Sequence, residues 1–279
     1  MADVTSWGEI KSAARTYQYD RYIAATLAPR KNLHELILLA AFAADIDRIL
    51  VSINEPAMIA IRLQWWCDAI DTPEKYMTGS PLADKLRSVI FRLKLPSNQF
   101  TQYIEAQDIE LYPDLLPDLA ALKKHFINRD GILFKLAAIV LGIKFNDQIQ
   151  ATIEAGAQAY GLALTLAQLP IRLQSRQLLL PADLAAKHGV YLGKKFDVVS
   201  VKRVRYELAQ AAYTSLSEYR RLVLKSSHNI SAAMLPIALT DIYIEAAFKH
   251  NYTTEKVKFE PLRFRRAWLM LRAKWRGFI

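Results

Sequence analysis

The chain has 279 residues, 52% of them apolar, which is enough for one large domain or two small ones with a substantial core. Its 9 glycines and 11 prolines are few for this length, which disfavours a turn-rich all-β fold and favours long helices. One cysteine, Cys67, excludes an intrachain disulfide and indicates a reducing compartment. The formal charge of +10 indicates an anionic partner or a solvated basic face.

The segments that could target or anchor the chain do not have the required pattern. Residues 1 to 6 lack a basic region followed by an apolar core, so we expect no secretory signal. The longest apolar runs, such as Leu36 to Ala44, fall short of the roughly 20 residues that span a bilayer. Residues 232 to 248 are mostly apolar but contain Asp241 and Glu245, and we interpret them as a buried helix.

Helix start signals occur throughout the first half of the chain. Asn32 precedes a predicted helix that runs to about Val51. Pro56 is expected in the first turn of the next helix, where its missing N–H costs nothing. Ser80-Pro81 and Ser97 predict two further helix starts. Residues 129 to 142 predict an apolar helix that ends at Gly142.

The second half of the chain also has a helical pattern, with one interruption. Residues 147 to 168 predict a helix, and Pro170 is expected to end it, leaving residues 171 to 180 irregular or extended. A short helix is predicted from Pro181 to near Gly189. Residues 200 to 226 and 231 to 249 predict two long helices. With no strand-rich region, linker or internal repeat, the sequence predicts a single all-α domain over residues 1–279.

The last predicted helix, over about residues 260–276, is basic and amphipathic. It places Phe264, Trp268, Leu271 and Trp275 at spacings of four, three and four, with arginines on the rest of its surface. One interpretation is a helix that lies in the plane of an anionic membrane interface. The alternative is an aromatic stripe that packs on the body of the protein, with a solvated basic face. Nucleic-acid binding is disfavoured because no recognisable nucleic-acid-binding module accompanies the charge.

The order of several short motifs resembles that of the squalene/phytoene synthase family. The matching motifs are Asp20-Arg21-Tyr22, Leu27-Ala28-Pro29, Leu39-Ala40-Ala41-Phe42, Glu55-Pro56, Arg62-Leu63-Gln64-Trp65-Trp66-Cys67-Asp68-Ala69, Tyr160-Gly161-Leu162-Ala163, Leu180-Pro181-Ala182-Asp183-Leu184 and Trp275-Arg276-Gly277. The block from Glu55 to Ala69 is the most specific, and it is similar to the branch that includes the mitochondrial complex I assembly factor of this family. The resemblance implies an all-α isoprenoid-synthase-like helical bundle around a central cavity.

Enzymes of this family join two prenyl diphosphates head to head, using Mg²⁺ held by two aspartate-rich clusters with aspartates four residues apart. The first cluster is expected just after Phe42, where this chain has Asp45 and Asp47, with Val51 four residues after Asp47. Because Asp45 and Asp47 are about 200° apart around a helix, they do not point at one metal. We interpret them as degenerate remnants of the cluster, and Arg48 is expected to pair with Asp45.

The second cluster is expected after Tyr160-Gly161. Between Gly161 and Pro181 the chain has no Asp or Glu, and its only charged residues are Arg172 and Arg176. The segment is also about four residues shorter than in the enzymes. The two arginines are either a clamp for a diphosphate or phospholipid, or exposed loop residues.

The residues proposed to bind a substrate or lipid are those that match the family motifs and the arginines after them: Arg62, Gln64, Trp65, Trp66, Tyr160, Gln168, Arg172 and Arg176. For the residues of the Trp65-Trp66 helix the alternative is a structural core, in which a carboxylate of another helix holds Arg62. The five histidines have no metal-ligand spacing and are assigned no role.

These features predict a non-catalytic protein that binds a prenyl lipid or a protein partner at the membrane, and the resemblance implies a role in respiratory complex I assembly. No cofactor or metal is then expected. The alternative is a divergent Mg²⁺-dependent prenyltransferase acting on farnesyl or geranylgeranyl diphosphate, with metal ligands such as Asp20 or Glu154. A third hypothesis is a surface-binding module that does not use the cavity. We expect a cytoplasmic location, peripheral at the inner membrane face, or on the mitochondrial matrix side in a eukaryote.

Overall fold

The computed structural model describes residues 2–53, 55–73, 75–112, 116–175, 179–190, 197–225, 230–249 and 261–277. Within these ranges the chain is helical and contains no β-strand, which confirms the all-α prediction. The helices are α1 (Ala2–Tyr17), α2 (Tyr19–Leu27), α3 (Leu33–Ser52), α4 (Pro56–Asp71), α5 (Pro81–Leu93), α6 (Ser97–Glu105), α7 (Asp108–Leu111), α8 (Leu119–Phe126), α9 (Ile132–Val140), α10 (Asp147–Ser175), α11 (Ala182–His188), α12 (Val198–Lys225), α13 (Thr240–Lys249) and α14 (Arg263–Arg276).

Most of the predicted helix starts are confirmed, because the start signals are local. The helices α4, α5 and α6 begin at Pro56, Pro81 and Ser97. The Ser80 hydroxyl accepts a hydrogen bond from the backbone N–H of Ala83 at 3.4 Å, as an N-cap residue does. Asn32 precedes α3 but does not cap it. Its side-chain amide donates to the carbonyl oxygen of Val140 at 2.7 Å and ties the start of α3 to the end of α9.

The predicted break at Pro170 is wrong. Helix α10 continues through Pro170 to Ser175, although a proline in a helix interior costs about 3 kcal/mol. Side-chain contacts hold the turn beyond the proline. Arg172 donates from Nε to Oε1 of Gln168, one turn earlier, at 3.0 Å, and its Nη atoms bind Glu110. Tertiary contacts therefore override the local break signal.

The predicted long helix over residues 231 to 249 is only partly confirmed. Its second half is α13, but the first half consists of two 3₁₀ turns, Ile230–Ala232 and Leu235–Leu239. Pro236 lies within the second turn and cannot donate the backbone hydrogen bond that an α-helix requires there.

No helix among the described residues has both the length and the apolar character needed to cross a membrane.

The chain divides into two compact units, Met1–Ala106 with Ile132–Lys144 and Gln107–Gly131 with Phe145–Ile279. In the first unit, α3 is the central helix and packs against α1, α2, α4, α5 and α9. Its residues from Leu36 to Ala44 are all buried. Phe42 contacts Phe100 and Tyr103 of α6 at ring-centroid distances of 5.4 Å, which builds an aromatic core beside α3.

In the second unit, α10 is the central helix and packs against α8, α12 and α13. Gly161 permits a close approach of α8 to α10. A Cβ atom at this position would lie 2.2 Å from Cγ of Phe126 on α8. The missing side chain therefore lets α8, and the turn that follows it, lie directly on α10.

The aromatic stripe of α14 does not pack on the body of the protein, so that interpretation is wrong. Phe264, Trp268 and Trp275 are 81%, 49% and 72% exposed. The buried residues of α14 are instead Arg266, Met270 and Ala273, and the helix packs on the two 3₁₀ turns of the second unit.

Candidate functional site

The carboxylates that remain from the first aspartate cluster are engaged in hydrogen bonds within the first unit. Asp45 accepts from the indole N–H of Trp66 at 2.9 Å and pairs with Arg48 at 2.5 Å, which confirms the predicted Asp45–Arg48 pair. Asp47 accepts from the side-chain amide of Gln18 at 2.5 Å. The two carboxylates thus bind different partners.

The two tryptophans of α4 have different environments. Trp66 is 1% exposed and lies edge-to-face on Phe42 at a centroid distance of 5.0 Å, so it is a core residue. Trp65 is 37% exposed and contacts the edge of Trp66 at 5.3 Å. Arg62 and Gln64 are exposed, and Gln64 donates to Asp68 at 2.8 Å. The core interpretation holds for Trp66. Arg62 is exposed to solvent, so it does not need the carboxylate of another helix that this interpretation expected.

A group of polar side chains in the second unit forms a closely spaced set of ion pairs around Glu110. Arg172 donates from its two Nη atoms to the two carboxylate oxygens of Glu110, at 2.6 and 3.1 Å. Arg129 donates to Glu110 at 3.3 Å and to Asp130 at 3.0 Å. The "Glu110 cluster" is Glu110, His125, Arg129, Asp130, Gln168 and Arg172. Its two carboxylates balance its two guanidinium groups.

Three local features of the second unit bring the cluster together. Glu110 lies on the short helix α7. The turn after α8 is a π-helix, Ile127–Gly131, which carries Arg129 and Asp130, and π-turns are frequent at functional sites. Arg172 extends from the last turns of α10, and Gly161 allows α8 to approach that helix closely.

The electrostatics of the cluster stabilise charged Glu110. Burial by itself would raise the pKa of Glu110, but the charge and hydrogen bonds of Arg172, assisted by Arg129, lower the pKa to about 2. Glu110 therefore stays ionised across the physiological range. The bidentate geometry with Arg172 is the strong form of this ion pair.

His125 lies within the cluster but has the opposite preference. It is 1% exposed, and neither ring nitrogen has a hydrogen-bond partner among the described residues. Burial lowers the pKa of His125 to about 4, and the charge of Arg129 adds to this effect. His125 is therefore neutral at physiological pH, and its ring packs beside Phe126 at a centroid distance of 5.3 Å.

The structure places the remaining predicted site residues in different surroundings. Gln168 joins the cluster through Arg172, and Tyr160 is buried in α10. Arg176 lies outside the described residues. Sequence reasoning missed Glu110, His125, Arg129 and Asp130. Glu110 is 62 positions from Arg172, and no local spacing connects them.

This arrangement does not fit a magnesium site built from the second unit. Mg²⁺ requires several oxygen ligands in octahedral geometry, whereas the segment after Gly161 provides the guanidinium group of Arg172. A guanidinium group has hydrogen-bond donors only and cannot ligate a metal ion. No three His, Cys, Asp or Glu side chains are grouped as metal ligands in the part of the chain that the structure describes.

Comparison with known proteins gives the family. The squalene/phytoene synthase family model matches residues 14–272. The chain belongs to the squalene/phytoene synthase family. The fold is shared with a dehydrosqualene synthase solved with a ligand, at a TM-score of 0.74 and 14% identity, covering 99% of this chain and 97% of that one. The squalene synthase HpnC of Alicyclobacillus acidocaldarius gives a TM-score of 0.66 at 14% identity, covering 98% and 94%.

Named relatives in animals are called assembly factors and not synthases. The chain is 24% identical over 254 residues to mouse "NADH dehydrogenase (ubiquinone) complex I, assembly factor 6", covering 88% of this chain and 74% of the mouse protein. The Drosophila melanogaster homolog is 23% identical over 264 residues, covering 90% and 78%. The resemblance to this branch of the family is therefore confirmed.

Proposed function

We propose that the protein does not ionise prenyl diphosphates and acts as an assembly factor for a respiratory NADH dehydrogenase complex. The observation that carries the proposal is the ion pair between Arg172 and Glu110. It occupies the segment after Gly161, where the family's enzymes are expected to hold Mg²⁺ with aspartates. Arg172 supplies only hydrogen-bond donors there, so the segment lacks the oxygen ligands that Mg²⁺ requires.

The surroundings of Arg172 support a structural role for it. Its guanidinium group binds both carboxylate oxygens of Glu110 and the amide oxygen of Gln168, which engages all three of its nitrogens. A phosphate would have to displace Glu110 in order to bind Arg172 in the same bidentate way. The arginine therefore stabilises the end of α10 and is not poised as a diphosphate clamp.

The first unit supports the same conclusion. Asp45 is held by Trp66 and Arg48, and Asp47 is held by Gln18. Recruiting either carboxylate to a metal would break these hydrogen bonds, and for Trp66 it would leave a buried indole N–H without its acceptor. Asp45 contributes to the packing of α4 on α3, which is a scaffold role.

The direction of the proposal, assembly of NADH dehydrogenase complex I, comes from the names of the relatives in mouse and Drosophila melanogaster. The expected partner is a protein subunit or intermediate of that complex. Location at the membrane, and a prenyl lipid as a bound ligand, are further parts of the proposal. No cofactor or metal is required for such a role.

The proposal is tested by deleting the gene in its native host and measuring NADH:ubiquinone oxidoreductase activity in isolated membranes, with assembled complex on native gels. We expect both to decrease while succinate dehydrogenase activity, the control, stays unchanged. The wild-type gene, supplied on a plasmid, should restore the complex.

A parallel assay tests the competing enzymatic activity. Purified protein is incubated with Mg²⁺ and farnesyl or geranylgeranyl diphosphate, and released pyrophosphate is measured beside a dehydrosqualene synthase as positive control. We expect no release above background. Steady turnover, together with unchanged complex in the deletion strain, contradicts the proposed function and supports the divergent prenyltransferase.

A further inference from the structure

We infer that α14 binds the surface of an anionic lipid bilayer, lying in the plane of the interface with its aromatic stripe among the acyl chains. The inference deepens the proposed function and rests on it for the expectation that the protein works beside a membrane. Its physical basis is the arrangement of α14 alone.

The aromatic stripe and the buried edge of α14 lie on opposite faces. Phe264, Trp268 and Trp275 fall within about 40° of one another at 100° per residue, and the buried edge is roughly 180° away. Trp268 and Trp275 are edge-to-face at a centroid distance of 6.4 Å, so these two rings form one continuous surface. The helix is therefore anchored on one face and presents aromatic rings on the other.

Basic side chains line both sides of the stripe. At 100° per residue, one group of basic residues lies roughly 60–100° to one side of the centre of the stripe, and the other lies roughly 100–120° to the opposite side. All five are exposed, and α14 contains no Asp or Glu. The first group is Arg265, Arg272 and Arg276, and the second is Arg263 and Lys274.

This arrangement matches the two chemical layers of a bilayer surface. Tryptophan and phenylalanine partition into the boundary between headgroups and acyl chains, and long basic side chains extend from there to lipid phosphates. Cations on both flanks favour a flat anionic surface. A second copy of the chain is disfavoured as the occupant, because its α14 would bring five like charges against the first five.

The inference is tested by flotation of the purified full-length chain with vesicles of phosphatidylcholine alone or mixed with phosphatidylglycerol. We expect binding to the mixed vesicles, and roughly tenfold or greater weakening of that binding in Arg265→Gln/Arg272→Gln/Arg276→Gln. Raising the salt concentration should weaken binding of the wild type. The matched control, Lys202→Gln/Arg203→Gln/Lys225→Gln, removes the same charge from exposed positions of α12 and should bind as the wild type does.

The aromatic stripe is tested separately with Phe264→Ser/Trp275→Ser. Its matched control is Phe91→Ser/Leu224→Ser, which replaces side chains that are 72% and 73% exposed elsewhere. Only the α14 variant should lose binding. Brominated acyl chains should quench tryptophan emission in the wild type and in Trp65→Phe, but much less in Trp268→Phe/Trp275→Phe.

Equal binding by the α14 variants and their controls overturns the inference, and so does equal binding to neutral and anionic vesicles. If light scattering shows that Phe264→Ser/Trp275→Ser changes the oligomeric mass and not vesicle binding, the stripe is a contact between copies and the inference is wrong. These measurements use no respiratory complex, so they can fail while the deletion strain still loses complex I, and the reverse is equally distinguishable.

Discussion

Arg172 and Glu110 are joined by two parallel hydrogen bonds, of 2.6 and 3.1 Å, across 62 positions of sequence. This pair replaces a feature that family resemblance leads one to expect, a carboxylate cluster on the helix that contains Tyr160 and Gly161. It also holds the end of α10 beyond Pro170. One side chain thus accounts for a helix that continues through a proline and for a segment that does not suit Mg²⁺.

The first prediction concerns the strength of this pair. Arg172→Met should lower the free energy of unfolding by roughly 2–4 kcal/mol, because it leaves Glu110 charged and largely buried, with Arg129 as its remaining partner among the described residues. Glu110→Gln should cost a similar amount, since Arg172 then lacks its carboxylate. Urea denaturation followed by circular dichroism measures both.

The double variant Arg172→Met/Glu110→Gln is the control for lost packing. It removes both charges together, so its cost should fall short of the sum of the single costs by about 1–3 kcal/mol. Strictly additive costs would show that the two residues do not interact, and would remove the main support for a structural role of Arg172.

The second prediction is a pH dependence that arises from His125. Its pKa is about 4 in the folded protein and 6.5 in the reference state. Because the folded pKa is lower, the unfolded chain binds the proton first, and stability decreases as the pH falls from 6.5 towards 4. The full contribution is about 3 kcal/mol. Glu110 adds a loss in the same direction only at lower pH, between its reference pKa of 4.5 and about 2.

Thermal or urea unfolding of wild type and His125→Phe is measured between roughly pH 7.5 and 4.5. In this range His125 contributes to the pH dependence, whereas the contribution of Glu110 changes only at lower pH. The variant should show a flatter dependence on pH. An identical slope in wild type and His125→Phe would mean that His125 is not neutral and buried in solution.

How far the sequence predicted this protein depends on the range of each interaction. Helix starts at Pro56 and Pro81 were predictable because start signals act within one turn. The continuation through Pro170 was not, because Glu110 lies far away in sequence. The burial of Trp66 and exposure of Trp65 also required the structure, since the local pattern shows two faces but not which one contacts α3. For α14, the residue spacing predicted the aromatic stripe, but tertiary packing decides which face of the helix is buried.

The third prediction compares the adjacent tryptophans of α4. Trp66→Phe should lower the free energy of unfolding by about 2 kcal/mol, because it creates a small cavity against Phe42 and removes the hydrogen bond to Asp45. Trp65→Phe is the matched control and should cost less than about 1 kcal/mol, as its side chain is partly exposed. Equal costs would contradict the assignment of Trp66, and not Trp65, as the core residue.

The fourth prediction concerns the close approach of α8 to α10. Gly161→Ala should destabilise the protein by about 1–3 kcal/mol despite the better helix propensity of alanine, because the new methyl group meets the base of the Phe126 ring. Gly156→Ala is the comparison. Its Cβ would lie nearest to the flexible ends of two side chains, Cδ1 of Ile237 at 2.4 Å and Cε of Met234 at 2.5 Å, and the nearest ring atom, Cδ2 of Tyr219, is at 3.0 Å. We expect a smaller cost at Gly156, and the reverse order would contradict the packing at Phe126.

The fifth prediction distinguishes a scaffold from a metal-dependent enzyme by ligand-linked stability. A protein that binds Mg²⁺ and diphosphate at about 100 times the dissociation constant gains about 2.7 kcal/mol, or roughly 5–10 °C in Tm for a chain of this size. Because Arg172 and Glu110 neutralise each other, we expect Mg²⁺ with inorganic pyrophosphate to change the Tm by less than about 1 °C. Differential scanning fluorimetry measures this, with Ca²⁺ at equal ionic strength as the control for nonspecific salt effects. A specific increase with Mg²⁺ and pyrophosphate that disappears in Asp45→Asn/Asp47→Asn would show that the remaining carboxylates still bind metal, and would favour the prenyltransferase over the assembly factor.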